Sequence, residues 1–303
     1  MRPEETLRYA FRAMGTTVTL IADRRTTAPA FERASRSVEL VFAREERCFS
    51  RFRADSELSY VNARAGRWTK VSTEFATLLG YSLEAAGHSG GLFDPTVLPA
   101  LVAVGYDRDF DEVIAGARGA LHPPQPCARW PEIELDGDLL RLPHGVGLDF
   151  GGVAKGWAVD LAAQAAVAEG LAWAVVNAGG DLRIAGRPPA AGVEVGIEDP
   201  ESPDEEATRL TLVSGALATS SITTRSWGPE LHHVIDPRSG LPAATGVLQA
   251  SVWAETCAEA EIRSKWALLE GLPALERMSA VLVMEDGRIV MNLEPRPLVE
   301  VGA

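Results

Sequence analysis

The longest apolar stretch of the chain, LAAQAAVAEGLAWAVVNAGG at 161–180, constrains the fold more than any other segment. A membrane-spanning helix needs about 20 predominantly apolar residues in a row. This stretch is broken by Gln164, Glu169, Gly170 and Asn177, so it reads as a helix, a turn and a buried strand. Such a strand needs a core to bury it. The composition can supply one, with 46% of 303 residues hydrophobic and 23% charged, which excludes disorder for the bulk of the chain. Lys and Arg number 29 against 42 Asp and Glu, a net charge of −13. That balance argues against nucleic acid or an anionic membrane as partner, since either needs a basic face. A small anion is still permitted, because a few local cations suffice to hold one.

Around this stretch the periodicities alternate between strand and helix. Residues 7–22 read as a strand interrupted at Met14-Gly15, and 29–47 as a helix with Phe31, Ala34, Val38, Val41 and Phe42 on one face. Ser72 caps a helix that runs to Gly87–Gly91, and Asp109 opens a short one to Gly119. The Pro-rich piece 122–131 is the clearest linker and the one place for a substructure boundary. Gly152–Glu169 is expected to be helical, Trp173–Ala185 a single buried strand, and 198–207 a solvated acidic loop. Strands follow over 193–197, 208–213, 216–220, 231–235 and 248–254. A helix over 256–270 and a hairpin at 279–291 complete the chain. Strands in neighbouring runs with helices inserted singly indicate an α+β fold with mixed, largely antiparallel sheets and packed helices.

Several segments carry groups suited to chemistry. GGDLRIAG (179–186) joins two glycines, which let a ligand approach the backbone, to a carboxylate at Asp181; a plain turn between strands is the alternative. DFGGVAKGWAVD (149–160) sets free N–H groups and Lys155 at a helix start, which suits an anion or simply caps a helix. HHVIDPRSG (232–240) offers a general base and a carboxylate, with at most one of the adjacent histidines facing a given site. TSSITTR (219–225) adds hydroxyls and Arg225. GLFDPTVLPAL (91–101) alone indicates a rigid loop. Cys48, Cys127 and Cys257 lie far apart without CxxC spacing, so neither a disulfide framework nor a zinc site is implied. The N-terminal MRPEETLRYAFRAMG has no apolar run of signal-peptide length, and a cytoplasmic setting is expected.

Taken in order, MGTTVTL (14–20), CFSRFRADSELSYVNA (48–63), GLFDPTVLPAL, DFGGVAKGWAVD, VVNAGGDLRIAG, ALATSS and HHVIDPRSGLPA resemble the motifs of the FAD:protein FMN transferase (ApbE) family. The likeness runs from Met14 to Gly271. It implies a T-fold-like α+β architecture, with residues 1–303 as a single domain. It also implies cleavage of FAD, attachment of FMN through a phosphoester to a Thr or Ser of an acceptor protein, and release of AMP. Hydrolysis of FAD to FMN and AMP is a second activity of the family, and FAD binding without metal-assisted catalysis a third possibility. By resemblance His233 is the base and Asp236 positions the loop or the imidazole. Met14 packs on the isoalloxazine, and Phe52 stands where the family has a flavin-stacking Tyr. Glu57, Asp94, Gly179, Gly180 and Asp181 bind the flavin and adenosine portions; Lys155, Thr219 and Arg225 face the phosphates. SGALAT (214–219) falls short of the family's flavinylation motif, so the acceptor is expected to be another protein.

The departure is at the metal. In the family an Asp and a Thr side chain, with the Ala carbonyl at the position of Ala154, hold Mg²⁺; here Glu261 and Lys265 stand at the Asp and Thr positions. Glu261 can serve as a carboxylate ligand, but an ammonium has no lone pair to offer. Three arrangements are open. Lys265 turns outward beside a weakened metal site, or its ammonium replaces the metal as a counter-charge, or the two residues form an i,i+4 pair on an exposed helix face.

Overall fold

Met14-Gly15 and Gly179-Gly180 form two turns of the main sheet. All four residues have positive φ, at 48°, 70°, 59° and 93° respectively, as two-residue turns matched to the twist of their strands require. Each turn closes a hairpin. Thr6–Ala13 (β1) pairs with Thr16–Asp23 (β2), and Trp173–Ala178 (β3) with Asp181–Gly186 (β4). The interruption expected at Met14-Gly15 within 7–22 is the turn of a hairpin, and the single strand expected over 173–185 is corrected to a hairpin. Alternation runs on through a turn of two residues, whereas a left-handed backbone does not. This computed structural model describes residues 6–115, 123, 126–202, 204–228, 230–294 and 298–300.

Ala216–Ser221 (β5), Val247–Ala254 (β6), Ala280–Met284 (β7) and Ile289–Asn292 (β8) complete an eight-stranded sheet. Strand order in the sheet follows chain order, and every pairing is antiparallel. The described helices are Ala28–Phe49 (α1), Glu57–Asn62 (α2), Thr73–His88 (α3), Leu98–Ala103 (α4), Phe110–Ala115 (α5), Ala154–Ala168 (α6) and Cys257–Glu270 (α7). The fold is α+β with antiparallel sheets, as the order of periodicities implies. The helix expected from Asp109 to Gly119 is described only to Ala115; 116–119 lie outside the described residues, as do 122, 124 and 125 of the Pro-rich segment.

The chain divides into two compact units: Met1–Arg44, Lys155–Ser221 and Gly246–Ala303 form the first, Glu45–Ala154 and Ile222–Thr245 the second. In the first, both faces of the eight-stranded sheet are covered. Ala174, Val176 and Ala178 of β3 join Val18, Leu20 and Ala22 of β2 in a core with Val38 and Phe42 of α1, Ala158, Ala162 and Ala166 of α6, and Cys257 and Ala260 of α7. Trp173 and Val175, one residue out of phase, pack instead with Val193, Ile197, Leu210 and Leu212 of a three-stranded sheet, Val193–Glu198, Glu206–Leu212 and Leu298–Glu300. Burial on both sides is why AWAVVNA reads as an unbroken apolar run.

The second unit has its own core. Leu58, Phe75, Leu78, Leu79, Leu140, Leu148 and Phe150 are almost wholly buried. Phe150 packs edge-on against Phe49 and Phe75 at ring distances of 5.6 and 5.5 Å. Ser72 caps α3, its hydroxyl accepting the Phe75 N–H at 3.1 Å. A separate cluster gathers Leu101, Val104, Tyr106 and Ile235, with Trp227 packed on it.

Candidate functional site

In the first unit the polar groups converge on Asp181. It opens β4 directly after the Gly179-Gly180 turn and is 1% exposed. Oδ2 is ion-paired with Lys155 Nζ from the first turn of α6, and Oδ1 accepts the Thr219 N–H at 3.2 Å. Lys155 Nζ also donates to the Ala178 carbonyl at 3.1 Å. One carboxylate thus ties two strands and a helix start together. Thr219 Oγ1 meets Ser251 Oγ at 2.8 Å. A Cβ at Gly179 would run into the Thr16 side chain, so the turn approaches β2 more closely than any other residue type permits. Met14, in the neighbouring turn, holds a left-handed conformation that is costly for a side chain without local polar compensation.

Helix α7 meets α6 at Gly156, where a Cβ would overlap the Cys257 carbonyl. Asp160 of α6 accepts the N–H groups of Cys257 and Ala258 at 2.8 and 2.9 Å, satisfying donors at the start of α7. The close approach delivers Glu261, 1% exposed, to the Gly156 N–H, which it accepts through Oε2 at 2.8 Å. Lys265 Nζ lies 3.3 Å from Glu261 Oε1, with its side chain 19% exposed. Lys265 is therefore turned inward. The i,i+4 pair exists, but on a buried face rather than an exposed one, and the outward-turned lysine is not what the fold contains.

Electrostatics bind these groups into one cluster. Burial pushes the Asp181 carboxyl up, reinforced by Glu261 and opposed by Lys155 and Lys265. Burial works against the Lys155 ammonium, yet Asp181 and Glu261 outweigh it and raise its pKa above the ordinary value. Lys155 is thus a fixed cation. Burial, reinforced by Asp181, Asp160 and Glu261, raises the Cys257 thiol well above the usual range, so it is inert as a nucleophile.

Mg²⁺ does not fit these residues. Glu261 has one oxygen on a backbone N–H and the other on an ammonium. The two carboxylates are balanced by two ammonium groups, so a dication would meet no net negative charge. Ala154, the first residue of α6, adds only a neutral carbonyl. Among the described residues no group of three or more His, Cys, Asp or Glu is placed to hold a metal ion.

In the second unit the strand expected over 231–235 is broken: Leu231–His232 is a short strand, His233 lies in the bend after it, and pairing resumes at Ile235–Asp236. His232 is buried, with Nε2 3.1 Å from the Ala243 carbonyl and Nδ1 accepting the Val234 N–H at 3.3 Å. Burial pushes its imidazole pKa down, only partly countered by the Ala243 carbonyl. Its role is structural. His233 is half-buried, and its N–H donates to the Arg225 carbonyl at 3.3 Å. Asp236 is bidentate with Arg238 at 2.9 and 2.7 Å and also accepts the Arg238 N–H at 3.0 Å. Burial raises this carboxyl, but the Arg238 bonds prevail and hold it below the usual range. Of the two roles expected for Asp236, shaping the loop matches its contacts.

Glu57 and Asp94 are likewise engaged in the scaffold. Glu57 accepts the Ser72 N–H at 2.5 Å and its hydroxyl at 2.7 Å. Asp94 accepts the Thr96 N–H and hydroxyl at 2.7 and 2.6 Å, and the Ala128 N–H at 2.6 Å. Burial outweighs those bonds and raises the Asp94 carboxyl.

Phe52 keeps an exposed ring, 41% accessible. Behind it lies a residue that motif reading missed. The Arg51 guanidinium sits 4.2 Å from the Phe52 centroid and 4.4 Å from that of Tyr106. It also pairs with Asp149 at 2.7 Å, with both side chains under a tenth exposed. Tyr106 in turn packs at a tilt against Trp227, with ring centroids 5.3 Å apart, and Arg225 Nη1 lies 3.5 Å from its hydroxyl. Arg51 and Asp149 both stand inside the motif segments 48–63 and 149–160; the legible signal was an Arg beside the aromatic Phe52 and an Asp opening DFGG.

Comparison with known proteins agrees with the motif order. The family model described as the ApbE family matches residues 14–283. An FAD:protein FMN transferase of Treponema pallidum is 28% identical over 288 residues, covering 84% of this chain and 78% of that protein. One from Rhodobacter capsulatus is 29% identical over 267 residues, covering 82% of this chain; the chain spans about half (50%) of that relative's length. The crystal structure of the ApbE protein from Thermotoga maritima matches with a TM-score of 0.83 at 24% identity, covering 95% of this chain and 97% of that one.

Proposed function

The chain belongs to the ApbE family, and on that premise we propose that it is an FAD:protein FMN transferase acting on a second protein. FAD is the substrate. The hydroxyl oxygen of an acceptor Thr or Ser bonds to the phosphorus on the FMN side, and the P–O bond to the AMP phosphate breaks, its electron pair leaving with AMP. The hydroxyl proton passes to His233. His232 is unsuited to this task, because its two ring nitrogens both contact backbone groups.

Lys155, kept charged beside Asp181, offsets phosphate charge, as does Arg225. The Gly179-Gly180 turn gives a ligand access to backbone, and Thr219 is held for its contact by Asp181 and Ser251. Phe52 offers an open π-face to the isoalloxazine, with Met14 as a second apolar contact. Asp236, Glu57 and Asp94 act by fixing the loops that carry these groups. No step is routed through Mg²⁺. Among the described residues no helix is long and apolar enough to cross a membrane, and the three free thiols suit the cytoplasm, which we take as the setting.

The observation that carries the reading is the family match over 14–283, which includes every one of these residues. The test is incubation with FAD, with and without an acceptor peptide, followed by mass spectrometry and AMP detection. FMN-modified peptide and AMP are expected. Free FMN with AMP would indicate hydrolysis instead, and intact bound FAD a binding protein, the alternative that the Glu261–Lys265 pair favours. Absence of any flavin affinity would overturn the reading.

A further inference from the structure

We propose that the Lys265 ammonium takes the place of a divalent cation: held by Glu261, it is a built-in positive charge for the FAD pyrophosphate, and flavin binding by this chain needs no metal. The inference rests on FAD being the ligand. Its own support is the way the four charges are layered. The carboxylates of Asp181 and Glu261 are 1% exposed, whereas the side chains of Lys155 and Lys265 are 21% and 19% exposed. The cluster is neutral in sum, with its carboxylates sealed off and its two lysine side chains partly accessible. A divalent-cation site needs the reverse, with carboxylate oxygens facing the ion. A cation held on a buried carboxylate, as Lys265 is on Glu261, instead suits phosphate oxygens.

The inward position of Lys265 has specific causes. Gly156 lets α7 approach α6 closely, Asp160 anchors the start of α7, and the Gly156 N–H fixes Glu261 Oε2 at 2.8 Å, leaving Oε1 to hold Nζ at 3.3 Å. Lys265 also acts on Asp181, opposing the rise that burial imposes on its carboxyl. An ammonium so placed repels a dication and donates up to three hydrogen bonds.

The test compares the natural chain with Lys265→Thr and Lys265→Arg. FAD affinity is read by fluorescence in EDTA and in Mg²⁺, and Mn²⁺ binding to the flavin-free protein by electron paramagnetic resonance. The natural chain should bind FAD equally in both media and take up no Mn²⁺. Lys265→Thr should lose about 10–100-fold in FAD affinity in EDTA, the worth of one charge-assisted contact, and recover it in Mg²⁺ while gaining a Mn²⁺ site. Lys265→Arg, which keeps the cation, should show the same affinity in EDTA as in Mg²⁺. Mg²⁺-dependent FAD binding by the natural chain, stoichiometric Mn²⁺ uptake by it, or undiminished FAD binding by Lys265→Thr in EDTA would each overturn the proposal. If no form binds FAD in either medium, the flavin reading fails and the pyrophosphate role with it. The Mn²⁺ titration would then show separately whether Lys265 keeps a dication out.

Discussion

His232 shows how a residue that looks catalytic can belong to the scaffold. Its Nδ1 accepts the Val234 N–H and its Nε2 faces the Ala243 carbonyl, so the ring is neutral with its hydrogen on Nε2. Adding a proton to Nδ1 would oppose two N–H groups, and burial disfavours the cation as well, placing the pKa below 6.5. A histidine whose folded pKa is lowered contributes stability fully above its unfolded pKa, and that contribution is lost as pH falls through the folded value. The unfolding free energy from urea titrations should therefore drop between about pH 7.5 and about pH 5, by at most about 1.4 kcal/mol per pH unit from this group. His232→Gln should flatten the slope; a variant as pH-sensitive as the natural chain would assign the effect elsewhere. The sequence led to the expectation that only one of the two histidines serves a given site, on the ground that strand neighbours diverge; His233 in fact lies in the bend after the strand Leu231–His232. The sequence could not say which, since that depends on the Ala243 carbonyl, reached only when the chain folds back after the 236–240 turn. Arg51 escaped notice for a similar reason: its partner Asp149 lies 98 positions away (149 − 51).

Elements were legible where a local signal marks their ends, as Ser72 does for α3 and Met14-Gly15 for the first hairpin, and ambiguous at Gly179-Gly180, where a turn between strands was one of two readings. Contact between elements was not legible at all. Nothing in AKGWAVD says that Gly156 is the point where α6 touches α7, yet a methyl group there would overlap the Cys257 carbonyl. Gly156→Ala should consequently cost about 1–3 kcal/mol as the helices are forced apart, and it should loosen Glu261 and Lys265 with them. Gly80, inside α3, has open space where a Cβ would go. Gly80→Ala should stabilise by about 0.4–1 kcal/mol, through helix propensity and a less flexible unfolded chain. Chemical denaturation of the pair gives opposite signs if helix contact, rather than glycine content, sets the cost. Equal destabilisation by both would refute that account.

For the whole molecule, the net charge of −13 and the proposed anionic ligand pull in opposite directions. The long-range field of such a chain repels FAD, whereas the attraction of Lys155 and Lys265 is local and partly shielded from water. Salt separates the two. At about 0.1 M the screening length is about 10 Å, so the repulsion felt on approach is largely removed while contacts inside the site persist. The FAD association rate should therefore rise between about 10 mM and about 200 mM NaCl, the reverse of ordinary electrostatic steering. The dissociation rate should change much less. Stopped-flow flavin fluorescence measures both. A falling association rate would mean that the lysine pair projects a positive field well beyond its surroundings, and that the net charge is a poor guide to what this surface attracts.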